Sequence, residues 1–141
     1  MKISLKRNDD AFGLTAETDN GHSVNLDASK QAGGNNNGPS PMQLVLMAAG
    51  GCSSIDIIDI LKKQRETLDN LEVDVEGQRA GSVPKVFETI TIHFRLYGNI
   101  NPEKAKRAAS LSMEKYCSVS KMLDTTVDIN WKISLNDKEV A

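Results

Sequence analysis

The fold is decided by the stretch SPMQLVLMAAGGCSSIDIIDILKKQR, which occupies residues 40–65. Ser40 is a good N-cap and Pro41 suits the first helical position, so the stretch predicts a helix that begins there. It continues to about Gln64 or Arg65, which makes it roughly 24 residues and ~36 Å long. Because Leu44 to Ala49 is apolar on every side, we expect other structure to enclose that half of the helix.

The second half of this helix is amphipathic. We expect its inner stripe to be made of three aliphatic residues, Ile55, Ile58 and Leu61. Asp56 and Asp59 fall on the predicted outer face, where they meet solvent or a second helix of a dimer. The pair Gly50-Gly51 costs about 1 kcal/mol per glycine relative to Ala, which indicates a kink or the close approach of another backbone.

Segments of alternating polar and apolar residues on both sides of the helix predict strands. They are residues 2–7, 12–17 and 23–27 before it, and residues 71–77, 87–97 and 127–135 after it. A turn at residues 81–84 makes a long hairpin with one wet face, Asn101 caps a helix to about Tyr116, and residues 118–123 form a short helix. The order βββ-α-ββ-α-α-β predicts an α+β fold with helices against antiparallel sheet, in a single domain over residues 1–141.

Composition and charge exclude several classes of protein. Seventeen Lys and Arg against nineteen Asp and Glu give a formal net charge of −2, and no basic block interleaves with aromatics, so we predict no nucleic-acid partner. The uninterrupted apolar run, Leu44 to Ala49, is far shorter than the ~20 residues of a membrane span. The first residues alternate and lack the apolar core of a signal peptide, so we expect a cytoplasmic protein without a membrane partner.

The only two cysteines, Cys52 and Cys117, lie far apart in the sequence. They are too few for a disulfide framework and too sparse for a structural zinc site. His22 and His93 are also too distant to suggest a ligand pair, so we predict no metal and no cofactor. From composition alone, two inert buried thiols are a better interpretation than a redox pair.

Two segments together resemble the OsmC/Ohr family of bacterial hydroperoxide-handling proteins. Residues 38–54, GPSPMQLVLMAAGGCSS, are similar to the family's Pro-x-x-Leu stretch, which leads into an Ala-rich central helix that carries a cysteine. Residues 111–120, LSMEKYCSVS, are similar to its second motif, Cys-Pro-x-Ser. Element order and spacing agree over essentially the whole chain, and the similarity is closest to a subgroup with Ala-Ala-Gly-Gly-Cys-Ser and Glu-Lys-Tyr-Cys-Ser-Val.

The resemblance implies an OsmC-like fold, in which antiparallel sheets pack around paired central helices in an intertwined homodimer. It also implies a thiol peroxidase, in which a hydroperoxide oxidises one cysteine, the other closes a disulfide, and an external thiol reductant restores both. The family uses an Arg from the N-terminal strands, and Arg7 is the only arginine there. The chain departs from the family at Met42, where the Ohr branch has a Glu, and at Ser118, which replaces the Pro after the second cysteine.

The motif match assigns the attacking role to Cys52, and Gly50-Gly51 leaves room beside it. A thiol in an apolar stretch needs a cation nearby to ionise, and Arg7 is the candidate. Cys117 is then the resolving thiol. The reverse assignment stays open, because the N-terminal N–H groups of a following short helix favour a thiolate at Cys117. Glu114 is an alternative source of the missing carboxylate, although its position is more typical of a solvated helix charge.

Two other functions fit the same residues. One is a non-catalytic member of the fold that binds a small apolar ligand between subunits, an alternative that Met42 keeps open. The other is a thiol redox sensor that is oxidised but turns over slowly. Thiol reactivity separates the three, because a catalyst reacts and cycles, a sensor reacts once and a binding protein does neither.

Overall fold

The computed structural model describes residues 1–141 and has the predicted order of elements. Its strands and helices are β1 Ile3–Arg7, β2 Leu14–Thr18, β3 Ser23–Leu26, α1 Pro41–Lys63, β4 Thr67–Arg79, β5 Phe87–Asn99, α2 Pro102–Leu111, α3 Ser118–Leu123, β6 Asp128–Leu135 and β7 Lys138–Glu139. The sequence pattern did not predict three short features, which are a 3₁₀ turn at Lys30–Ala32, a π-helical turn at Ser112–Tyr116 and β7. The predicted α+β class is confirmed.

The chain forms two compact units, Met1–Val45 and Leu46–Ala141. In the first, β1, β2 and β3 form the predicted antiparallel meander, and β1 is exposed along its whole length. The carboxylate of buried Asp27 accepts hydrogen bonds from the N–H groups of Ala28, Asn35 and Asn37 at 2.7, 3.3 and 3.1 Å. These bonds anchor the Gly- and Asn-rich segment of residues 33–38. That the whole chain is a single domain stays a prediction.

The second unit contains a four-stranded sheet in the order β4-β5-β6-β7. The β4–β5 hairpin is antiparallel and long, as predicted, with pairs from Thr67–Asn99 to Arg79–Phe87. The expectation of purely antiparallel sheet is wrong at one pair, since β5 and β6 are parallel, in register from Thr89–Asp128 to Leu96–Leu135. The physical reason is the helical connection between them, which returns the chain to the same end of the sheet before β6 starts.

The core of this unit lies on one face of the sheet. On β5 it is lined by alternate buried side chains, Ile90, Ile92, Phe94 and Leu96, and α2 contributes three buried alanines, Ala105, Ala108 and Ala109. The opposite face is polar, as predicted for a hairpin with one wet face. There Arg95 pairs with Glu72 and Asp74 across the β4–β5 ladder.

The central helix α1 buries a different stripe from the predicted one. Its buried residues are Ala49, Gly50, Ser53, Ile57 and Leu61. Ile55 and Ile58, which we expected on the inner face, are 69% and 46% exposed, and only Leu61 of the predicted stripe is buried. Because this helix carries apolar residues around its circumference, periodicity alone did not select the face that packs.

The glycine pair lies within an uninterrupted helix. A Cβ on Gly50 would lie 2.7 Å from Cγ2 of Val75 on β4, whereas a Cβ on Gly51 would meet nothing within 4 Å. The close approach that we predicted therefore exists at Gly50, but it is made by a side chain rather than by another backbone. Gly51 supplies the predicted room beside Cys52.

By length and composition alone, α1 is capable of crossing a membrane, because its most apolar 18-residue window has a mean hydropathy of 1.8. The sequence argument missed this because it considered only the uninterrupted apolar run. One stripe of the helix nevertheless packs within the second unit. Gly50 approaches Val75 of the sheet, and the Asp56 carboxylate accepts a hydrogen bond from Ser112.

Candidate functional site

Three side chains with chemically reactive or coordinating atoms converge in the second unit. They are Cys52 and Asp56 on α1 and Cys117 at the start of α3, and their two sulfurs and a carboxylate oxygen all lie within 4.8 Å of one another. Both cysteines are free thiols. The structure thus brings together the two cysteines that the sequence separates, and it adds a carboxylate that the sequence analysis did not place there.

Helix geometry explains the position of Asp56. Residues four apart on a helix lie on the same face, so Asp56 follows Cys52 by one turn. The expectation that Asp56 faces solvent is therefore wrong: its side chain is half-buried, and its Oδ2 lies 3.2 Å from the hydroxyl of buried Ser112. The same hydroxyl lies 3.2 Å from the Ser53 carbonyl oxygen, so its single proton is shared between two acceptors on α1. Asp59 does face outward, where it pairs with Lys63.

A π-helical turn delivers Cys117 to the site. In the turn Ser112–Tyr116 the backbone widens, and the N–H of Cys117 donates to the Ser112 carbonyl oxygen five residues earlier, at 2.8 Å. Such widened turns are frequent at functional sites. Ser112, which holds Asp56, and Cys117 are therefore positioned by one local distortion. Ser118, which stands where the family has Pro, begins α3 without disturbing it.

The surroundings of Cys117 favour its neutral thiol. Its side chain is 0% exposed, and burial raises the pKa of the Cys117 thiol, with the nearby Cys52 acting in the same direction. The N–H of Ser120 donates to Sγ at 3.4 Å and opposes the shift, but it does not overcome burial. The helix-terminal stabilisation of a thiolate that we expected at Cys117 is thus outweighed by desolvation.

The two thiols differ in access. Cys52 is half-buried next to open Gly51, whereas Cys117 has no exposed surface. A dissolved oxidant can meet the Cys52 sulfur first. Of the two assignments that the sequence left open, the one with Cys52 as the attacking thiol agrees with this difference.

The remaining residues singled out in the sequence lie elsewhere. Arg7 belongs to the first unit and is exposed, and its Nε and Nη2 donate to the Ala11 carbonyl oxygen at 3.2 and 3.1 Å. Met42 is half-buried in the first turn of α1 and offers no charge. Exposed Glu114 accepts a hydrogen bond from the Ser110 hydroxyl at 2.8 Å. It lines a cavity of about 420 Å³ in which the other wall residues include Met113, Asp128 and Trp131.

A sequence signal for Asp56 did exist. The spacing Cys-x-x-x-Asp on a helix places the two side chains one above the other, and this holds whichever face of the helix is buried. Ser112 carried no comparable signal, because its role depends on the π-helical turn. His93 has a structural contact instead, because its Nε2 forms a hydrogen bond of 2.9 Å with the Ser134 hydroxyl. Burial lowers the pKa of this histidine.

Comparison with known proteins yields consistent matches. A family model described as OsmC-like protein matches residues 33–132. Protein YhfA of Escherichia coli strain K12 is 41% identical over 120 residues, which are 83% of this chain and 87% of that protein. The crystal structure of a hypothetical protein from Aquifex aeolicus VF5 is 28% identical, with a TM-score of 0.82 over 96% of this chain and 97% of that chain. An organic hydroperoxide resistance protein OsmC from Legionella pneumophila, 18% identical, shares the fold with a TM-score of 0.69 over 95% and 97% of the two chains.

Proposed function

The chain belongs to the OsmC-like protein family, and on this premise we propose that it is a two-cysteine thiol peroxidase that reduces organic hydroperoxides in oxidative-stress defence. One observation carries the proposal: an accessible thiol and a fully buried thiol lie within 4.8 Å of each other and of a carboxylate. A pair of inert core thiols would need neither the carboxylate nor the serine that holds it.

In the first step the Cys52 thiolate attacks the distal oxygen of the hydroperoxide. The S–O bond forms as the O–O bond breaks, the departing alkoxide takes a proton and leaves as an alcohol, and Cys52 becomes a sulfenic acid. A positive charge stabilises the thiolate, and we assign this role to Arg7 by its match to the family arginine. The half-exposed side chain of Cys52 provides the approach for the substrate.

In the second step Cys117 condenses with the sulfenic acid. Because burial keeps Cys117 as the thiol, it must lose a proton before it attacks, and the Asp56 carboxylate is the acceptor within reach. The Cys117 sulfur then attacks the Cys52 sulfur, and hydroxide leaves as water after taking up a proton. A Cβ–S–S–Cβ bridge requires sulfurs about 2.05 Å apart, so the two side chains close by a local movement.

An external dithiol completes the cycle by reducing the disulfide and becoming oxidised itself. This step suits the cytoplasm, where thiol reductants keep cysteines reduced, and we place the protein there. Met42 removes the carboxylate that the Ohr branch has at the start of the central helix. In this chain Asp56 supplies a carboxylate from the same helix, one turn after Cys52.

We also assign the chain to a homodimer in which a second copy covers the outer face of α1. Only 28% of the most apolar window of this helix is buried in one chain. Met47 and Ile55, 57% and 69% exposed, lie two turns apart on the same uncovered face, with Gly51 between them. A helix that is apolar all round must be enclosed, and two symmetric copies enclose such faces mutually.

The test is stopped-flow oxidation of the reduced protein by tert-butyl hydroperoxide and by hydrogen peroxide, followed by disulfide mapping. Cys52→Ser is expected to abolish the first oxidation. Cys117→Ser is expected to retain it and to accumulate a sulfenic acid. Equal peroxide reactivity in the native protein and Cys52→Ser would refute the proposal and favour the ligand-binding alternative. Oxidation without turnover by a dithiol would favour the redox sensor.

The role of Asp56 has a separate test with a matched control on the same helix. Asp56→Asn is expected to leave the first oxidation intact and to slow disulfide formation, most strongly at neutral and lower pH. Asp59→Asn changes a carboxylate that pairs with Lys63 in solvent, and it is expected to alter neither step. Equal rates of disulfide formation in Asp56→Asn and Asp59→Asn at pH 7 would remove Asp56 from the mechanism.

A further inference from the structure

We propose that the reduced cluster of Cys52, Asp56 and Cys117 binds one thiophilic divalent cation of the Zn²⁺ class, and that the bound ion holds the two thiols in a form that peroxide does not oxidise. The metal site goes beyond the proposed function, whereas the protection from peroxide rests on it. The sequence analysis predicted no metal site because it looked for ligands close together in the chain, and here the donors come from two helices.

The donor atoms suit such an ion. Two cysteine sulfurs and one carboxylate oxygen lie within 4.8 Å of one another. With Zn–S bonds of ~2.3 Å, tetrahedral coordination places two sulfurs about 3.8 Å apart. Small side-chain rotations are sufficient to bring the three atoms to that spacing. Thiolate ligands select Zn²⁺ and other soft cations over Mg²⁺ and Ca²⁺, which prefer oxygen donors.

The surrounding groups already orient two of the three ligands. The Ser112 hydroxyl donates toward Asp56 Oδ2 at 3.2 Å, which fixes the carboxylate and leaves its other oxygen free. The Ser120 N–H donates to the Cys117 sulfur at 3.4 Å, a contact that also supports a metal-bound thiolate. Outer contacts of this kind are the usual support of protein metal ligands, and they exist here without the ion.

Coordination would leave one position open. Three protein ligands leave the fourth tetrahedral position to water, and Cys52, which is only half-buried, is the cysteine ligand that reaches solvent. Binding converts two thiols to thiolates and releases two protons per ion, without any change in oxidation state. Both sulfur nucleophiles are then bound to the ion, whose positive charge lowers their nucleophilicity, so we expect peroxide to oxidise them more slowly.

The experiment consists of two titrations of the reduced protein. In the first, Zn²⁺ is added in competition with a chromophoric chelator. In the second, Cd²⁺ is added while the ultraviolet sulfur-to-cadmium charge-transfer band is followed. We expect one ion per chain, a cadmium–thiolate band and release of about two protons at neutral pH. Cys52→Ser and Cys117→Ser are each expected to weaken Zn²⁺ binding by ~100-fold or more, and Ser112→Ala by ~10-fold, the effect of losing an outer contact. Asp59→Asn is the matched control and is expected to bind as the native protein does.

Absence of the cadmium–thiolate band in the native protein would overturn the metal site, and this result does not depend on how any variant folds. Equal Zn²⁺ affinity of the native protein and Cys117→Ser would also overturn it. The regulatory part is tested by peroxide oxidation with Zn²⁺ at saturation, which we expect to be at least ~10-fold slower than without it. An unchanged rate overturns protection. Fast oxidation without metal binding defeats this inference alone, whereas metal binding without peroxide reactivity defeats the proposed function and the protection that rests on it, and leaves the metal site standing.

Discussion

Gly50 is the position at which the packing of the central helix α1 is most sharply testable. Replacing it with Ala adds a Cβ that would lie 2.7 Å from Cγ2 of Val75. Carbon atoms in good contact are ~3.5–4.0 Å apart, so the substitution requires a displacement of about 1 Å. Val75 is β-branched and restricted at χ1, so its side chain has few alternative rotamers that would make room for the added Cβ. Overpacking of this kind costs about 1–3 kcal/mol, whereas Ala gains about 1 kcal/mol over Gly in a helix.

The expected net effect of Gly50→Ala is therefore a loss of about 1 kcal/mol in the free energy of unfolding. In a Val75→Ala background the obstructing methyl group is gone, and the same substitution is expected to stabilise by about 1 kcal/mol. The coupling between the two positions is then about 2 kcal/mol, within the range measured for residues in contact.

The assay is urea denaturation followed by circular dichroism, with all four proteins at one concentration so that the proposed dimer formation contributes equally. The double-mutant cycle cancels the cost of Val75→Ala itself. Stabilisation by about 1 kcal/mol in both backgrounds would show that Gly50 does not touch Val75, and it would refute the helix-on-sheet packing described above.

Three further predictions concern other parts of the molecule. Burial holds the pKa of His93 below its ordinary value, so the unfolded chain binds the proton more readily than the folded one. The free energy of unfolding should therefore fall as pH decreases through about 6.5. His93→Gln should reduce this dependence of the unfolding free energy on pH, as measured by denaturation at several pH values. Ile55→Lys should convert the proposed dimer to monomer in sedimentation experiments, whereas Lys62→Ala, an exposed change on the same helix, should not. Arg7→Ala should slow peroxide oxidation ~10-fold, equivalent to about 1.4 kcal/mol, while neighbouring Lys6→Ala should leave the rate within ~2-fold.

Much of the fold could be predicted from the sequence because short stretches of neighbouring residues encode it. The cap at Ser40-Pro41 marked the start of α1, Asn101 marked the start of α2, and alternation located the β4–β5 hairpin within a few residues of its ends. Local signals of this kind depend on a few neighbouring residues and on backbone geometry. They do not depend on which other segment the element meets.

The direction of β6 and the inner face of α1 were not readable in the same way. Whether β6 runs parallel to β5 depends on the path of the helical connection, which alternation does not record. An apolar helix offers several faces to a core, and the contact of Gly50 with Val75 decides which one packs. The outward position of Ile55 follows from that choice.

The same distinction between local signals and tertiary contacts applies to the candidate site. The sequence by itself determined the two cysteines, the helices that carry them and the i, i+4 relation of Cys52 to Asp56, because helix geometry fixes that relation wherever the helix lies. Only the tertiary structure decided that Cys117 meets this pair, that Ser112 holds the carboxylate and that burial disfavours the Cys117 thiolate. These properties arise from segments far apart in the chain and from the loss of solvent between them, and neither is present until the chain has folded.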